Sequence, residues 1–142
     1  IGVLIENPAF IPEYSAFKNL KVLASINSKV TDDEIKEILE QVGLDPNDKK
    51  SYKKFSLGMK QKLGIANAVM GSPKVVLLDE PINAIDESGV ENVRQIIAKL
   101  KENGSIIIVA CHDKEELEFL SNEIYTIFEG KIIGHRSLNE NE

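Results

Sequence analysis

The 142 residues hold one cysteine, Cys111, and no tryptophan. A lone thiol cannot close an intramolecular disulfide, so a hydrophobic core must hold the fold, as suits a reducing cytosol. Long apolar runs are missing too. None approaches the roughly 18 to 20 residues that carry a helix across a bilayer. Positive charge is in deficit: 17 Lys and Arg stand against 23 Asp and Glu, a net charge of −6. A non-specific nucleic-acid binder carries the opposite sign, so no nucleic-acid partner is expected. What is present is the balance of a folded globular domain, 42% hydrophobic against 28% charged. The length suits one domain of ordinary size. The first residue is Ile1, inside the strand-like run IGVLI, so the chain reads as a piece of something longer.

Short β-rich runs alternate with helical stretches, which is an α/β pattern. Phe17, Leu20, Leu23 and Ala24 recur at helical spacing. Thr31 and Glu34 form a T-x-x-E capping box, and the helix behind it buries Ile35, Ile38, Leu39 and Val42 before Gly43 ends it. A further helix is expected from Ser56 to about Met70. KVVLLDEP follows, and four consecutive aliphatics belong to a strand inside a parallel sheet. Asp86 is placed to cap a helix with Val90, Val93, Ile96, Ile97 and Leu100 inward. SIIIVAC reads as a second fully buried strand, and Asp113 with Glu116 as the cap of a short helix. EIYTIFEGKIIG reads as a hairpin turning at Glu129-Gly130.

Chemistry concentrates at three places. VVLLDEP ends a buried strand on two carboxylates, at the carboxyl edge where open α/β sheets bind ligands. Asp79 suits a hard cation such as Mg²⁺, and Glu80 can polarise an attacking water. In FSLGMKQKLGIA, Ser56 stands at a helix N-cap and Gly58 removes a side chain from the first turn, which leaves N–H groups able to face a phosphate. In VACHD, His112 ends the second strand, on the same edge as Asp79 and Glu80. Each signal has a bland reading on its own: a capped strand, an ordinary Ser cap, a core histidine.

Their order adds specificity. A signature-like helix, a strand with Asp-Glu-Pro, NAID, and a strand ending in His together resemble the ATP-binding subunits of ABC transporters. FSLGM is similar to the signature motif, KVVLLDEP to the Walker B strand, NAID to the D-loop, and His112 to the switch histidine. Glu6 of IGVLIENPAF falls at the Q-loop position. The resemblance implies a partial P-loop NTPase of α/β class, with a RecA-like parallel sheet and an inserted ABC α-helical subdomain. Residues 1–9 would be a strand end and Q-loop. Residues 10–72 would form the helical subdomain, residues 73–136 the Walker B, D-loop and H-loop part of the core, and residues 137–142 a tail.

The resemblance also implies roles. Ser56, Leu57 and Gly58 of the signature would contact ATP bound to a second subunit in a head-to-tail dimer. Asp79 would hold Mg²⁺, Glu80 would be the general base, and His112 would contact the γ-phosphate. Asp86 would reach across the dimer, and Glu6 would touch the metal shell and report nucleotide state to a transmembrane permease. The subunit would lie in the cytoplasm against the membrane through that permease. Departures from the pattern are Leu57 for the first signature glycine, Met59 for the glutamine, Glu6 for Gln, and Ile82 for Thr. Glu6 with SLGMKQ resembles the bacitracin and lantibiotic self-immunity subgroup, which exports or clears peptide antibiotics.

The phosphate cradle G-x-x-x-x-G-K-[ST] is absent: the one Gly-Lys pair is Gly130-Lys131, with Tyr125 five residues before Gly130. These residues alone are therefore expected neither to bind ATP tightly nor to hydrolyse it. A non-transport ABC-type ATPase head in DNA maintenance or translation, and a non-enzymatic interaction module, are the competing classes. Cys111 is expected to face the core. Lys49, Lys50, Lys53, Lys54, Lys60 and Lys62 read as a solvated basic face, and His135 as exposed. Missing sheet neighbours would leave an open edge, and self-association is expected through it or through the apolar helix faces.

Overall fold

The computed structural model describes residues 1–5, 9–26 and 30–138. They form two compact units, Ile1–Ala110 and Cys111–Glu142.

The first unit is built on three parallel strands in the order β1-β2-β3. These are β1 (Gly2–Leu4), β2 (Val75–Asp79) and β3 (Ile106–Ala110). The run of aliphatics in KVVLLDEP does occupy the central strand. Its register pairs Leu4 with Leu78 and Asp79 with Ala110. Gly2, Leu4, Val76 and Leu78 alternate inward and are buried. Helix α3 (Leu57–Val69) packs on β1 and β2. The approach is close: a Cβ on Gly2 would stand 1.6 Å from the Ala68 carbonyl oxygen, so only glycine lets this strand lie on the helix. Helix α4 (Glu87–Glu102) runs against β3 and buries Val93, Ile96, Ile97 and Leu100.

The expectation of two fully buried strands needs correction. The opposite sheet face is uncovered: Ile106 is 63% exposed, Ile108 58%, and Leu77 37%. Helices cover one face of this sheet, and a run of aliphatics signals that both faces want cover without saying what supplies it.

Helices α1 (Ala16–Ala24) and α2 (Asp32–Gln41) pack on each other and on α3. The capping box on α2 is present, with Thr31 accepting from the Glu34 amide and Glu34 accepting from that of Thr31. The Thr31 amide, and the Thr31 hydroxyl donating to the same carboxylate at 3.0 Å, hold the Glu34 carboxyl below its ordinary range. Ile35, Leu39 and Val42 are buried, and Gly43 ends the helix at φ +79°. Residues 10–14 are pinned to the 3₁₀ turn Tyr52–Lys54. Tyr52 and Lys53 donate their amides to Tyr14 and Pro12. Phe10 meets Tyr52 edge to face, and Tyr52 packs tilted against Phe55.

In the second unit, Asp113 caps α5 (Lys114–Leu120) by accepting from the Glu116 amide. Strands β4 (Glu123–Phe128) and β5 (Lys131–Ser137) pair antiparallel. They turn at Glu129 (φ 45°) and Gly130 (φ 75°), the two positive φ angles of a type I′ hairpin. His135 stacks on Tyr125 at 4.5 Å in this hairpin. Cys111 is half-buried, and its sulfur accepts the Asp113 amide at 3.4 Å instead of packing into a core.

Candidate functional site

The sheet's carboxyl edge and the start of α3 meet in the first unit. Ser56 is the N-cap of α3, and its hydroxyl accepts the Met59 amide at 3.2 Å. That bond uses one of the free N–H groups of the first turn and leaves others for a ligand. Leu57 is 70% exposed beside it. Gly58 faces the loop after β2: a Cβ there would stand 2.7 Å from the Ala84 carbonyl oxygen. The glycine is needed for contact with that loop as well as for an open helix start.

Asp79 closes β2 and is exposed. Glu80 follows at φ 45°, and Ala84 stands at φ 61°. Left-handed backbone at non-glycine residues costs about 1–3 kcal/mol each and collects at functional sites. The Glu80 amide donates to the Ala110 carbonyl at 2.8 Å, which extends the β2–β3 ladder one residue past the strand. On its other side, the Gln61 side-chain amide donates to the carbonyls of Glu80 (2.9 Å) and Pro81 (3.2 Å). Asn83 N–H also donates to the Glu80 carbonyl.

Asp86 takes the N-cap position of α4, but the expected side-chain cap is not made. Its carboxylate instead pairs with Lys62 at 2.9 Å and accepts the Ser88 hydroxyl at 2.7 Å. The bonds from Lys62 and Ser88 and the Lys62 charge hold its pKa down at about 2. Lysine competes with the helix for the carboxylate because Lys62, one turn into α3, points at it and is mostly covered by protein.

Ser56, Leu57, Gly58, Asp79, Glu80 and Asp86 thus belong to one unit. His112 lies in the second unit, next to its first residue Cys111, and is exposed. Glu6 lies outside the described residues. Among those described, no three His, Cys, Asp or Glu side chains group as a self-sufficient metal cage.

The sequence model of the ABC transporter family matches residues 1–83. The chain belongs to the ABC transporter family. The lantibiotic transport ATP-binding protein SrtF of Streptococcus pyogenes is 41% identical over 142 residues, all of this chain and 62% of SrtF. The bacitracin transport ATP-binding protein BcrA of Enterococcus faecalis is 36% identical over 99% of this chain and 46% of its own length. The chain therefore spans about half the length of these curated relatives. Its fold is that of an ATP-binding cassette. The cassette MJ0796, solved as a dimer in a post-hydrolysis state with ADP and Pi, superposes with a TM-score of 0.87. That match covers 99% of this chain and 63% of MJ0796 at 22% identity.

The runs FSLGM, KVVLLDEP and NAID fall at the start of α3, on β2 and in the turn that leads into α4. Sequence reasoning missed Gln61 and Lys62, which join them. Both were in view as letters of SLGMKQK, but their partners lie 19 to 24 residues away. No helix among the described residues is long and apolar enough to cross a membrane.

Proposed function

We propose that these residues form the signature and Walker B portion of an ATP-hydrolysing ABC transporter subunit that exports or clears peptide antibiotics. The observation that carries this reading is the joint at Glu80. A carboxylate pair stands at a parallel sheet's carboxyl edge, and its second member, Glu80, is held in left-handed backbone and tied to the helix that Ser56 opens. The names of SrtF and BcrA support the peptide-antibiotic class.

ATP with Mg²⁺ supplies an activated terminal phosphoryl group. Asp79 would hold the cation. Glu80 would accept the proton of the attacking water, and His112 would contact the γ-phosphate and orient that water. Ser56 and the first-turn amides around Leu57 and Gly58 would face the nucleotide of a second, head-to-tail subunit. Asp86 would take part at that dimer face, and Glu6 would sit between the metal shell and a transmembrane permease. Residues 10–72 would dock on that permease at the inner face of the cell membrane. The phosphate cradle must come from outside these residues, so they alone are expected to be inactive.

The test is ATP hydrolysis by the full-length protein, with Glu80→Gln expected to abolish turnover and retain ATP binding. Stimulation by a peptide antibiotic after reconstitution with the permease tests the substrate class. Full-length protein without turnover, or steady turnover by the 142 residues alone, would overturn the reading.

A further inference from the structure

Gly58, Gln61 and Lys62 stand at i, i+3 and i+4 on α3, so they share one helix face. Each meets a different part of residues 80–86. Gly58 lies against the Ala84 carbonyl, Gln61 donates to the Glu80 and Pro81 carbonyls, and Lys62 pairs with Asp86. The Gln61 amide has one usable orientation, since its oxygen turned the same way would meet two carbonyl oxygens.

Glu80 is held on both sides. Its amide is bonded to Ala110 of β3 and its carbonyl to Gln61 of α3. Any displacement of α3 relative to the sheet must be absorbed by the φ and ψ of Glu80, the torsions that aim its side chain. That backbone already stands at φ 45°, a conformation that persists only where its surroundings impose it.

We propose that Gln61 is a positioning residue that couples the signature helix to the Walker B glutamate, so that the N-terminus of α3 and the Glu80 carboxylate respond as one body. This rests on the functional reading above, in which Glu80 serves one nucleotide and Ser56 with Gly58 serves the nucleotide of the paired subunit. Under that reading, Gln61 transmits the state of one nucleotide site to the other inside a single subunit. The connection is mechanical, through two hydrogen bonds, with no bond made or broken in the chemistry.

The test uses the full-length protein with Gln61→Glu, near in shape but offering an acceptor, Gln61→Ala, and Gln61→Lys, which keeps a donor. Hydrogen exchange should quicken about tenfold at residues 80–86 in the Glu and Ala variants, as expected for a lost hydrogen bond closing a local turn. Residues 63–69 should exchange as in wild type. Gln61→Lys should restore protection to within about twofold. ATP turnover should fall about tenfold in kcat with KM unchanged, the signature of an interaction used in the transition state. Unchanged exchange at 80–86, loss of protection spread equally through α3, or a raised KM with intact kcat would each overturn the proposal. A wild-type protein without ATP turnover would overturn the functional reading and the link between sites, while the exchange result would still decide the tether.

Discussion

Lys62 Nζ lies 2.9 Å from Asp86 Oδ1, an ion pair that joins α3 to the residue opening α4. Bonds from Lys62 and Ser88 and the lysine charge lower the Asp86 pKa to about 2. A carboxylate whose folded pKa is depressed stabilises the fold while it is ionised. That contribution is complete above the unfolded value of about 3.9 and is lost as pH falls toward the folded pKa. Lys62→Met should flatten the stability profile between about pH 4 and about 2. Urea midpoints measured across that window decide it: parallel wild-type and Lys62→Met profiles would show that the pair does not set the pKa.

Gly58→Ala should destabilise the unit and disturb the turn through Ala84. The added Cβ would stand 2.7 Å from the Ala84 carbonyl oxygen, a backbone atom that cannot swing away. Overpacking of this kind costs about 1–3 kcal/mol. Gly134→Ala is the natural comparison, because its Cβ would meet Thr126 at an ordinary 3.6 Å. Equal thermal midpoints for the two variants would remove the steric argument.

Asn19 should prove one of the most costly polar residues to replace. It is 2% exposed on α1, takes the Ile11 amide at 2.7 Å, and donates to the Ile11, Tyr14 and Ser15 carbonyls. The loop into α1 is therefore closed by one side chain. Asn19→Leu keeps the volume and orphans those groups, at about 1–3 kcal/mol for each one left unsatisfied. Asn19→Asp retains the acceptor but turns a second buried oxygen on those three carbonyls, so it should lose at least as much. Chemical denaturation of both variants would show this ordering, and a Leu variant as stable as wild type would refute it.

What could be read from the sequence was local. Ser56, Thr31 with Glu34, Asp113 with Glu116, and Glu129-Gly130 each announce a terminus through bonds that span two to four residues. The structure places them at helix caps and at the hairpin turn. Asp79 and Glu80 were legible because a run of aliphatics ends on them. Gln61, Lys62 and Asn19 were not, since each acts on partners supplied by another segment. A polar letter in a helix pattern reads as solvent-facing until that segment is placed. Lys62 shows this most directly: it sat in a run of lysines that looked like one basic face, yet it is the member that faces Asp86. Asp86 failed as a side-chain cap for the same reason. The capping pattern was present, and a distant lysine competed for the carboxylate.

The uncovered sheet face makes the last prediction. Val3, Ile5, Leu77, Ile106 and Ile108 lie on one side of β1–β3 and are all substantially exposed. Alternation along paired strands puts them in one continuous apolar surface, with Leu77 directly opposite Ile108 and Val3. Contiguous apolar surface of this kind drives association. A second copy of the chain offers the same face, and two such faces can cover each other. The apparent mass of the 142-residue chain in light scattering should rise with concentration. Ile106→Thr combined with Ile108→Thr should lower that mass, because threonine keeps β propensity and loses apolar surface. A concentration-independent monomer would show that this face is inert. An unchanged mass in the double variant would place the contact elsewhere, at the open edge of β1 or β3, where unpaired backbone groups offer the other route to self-pairing.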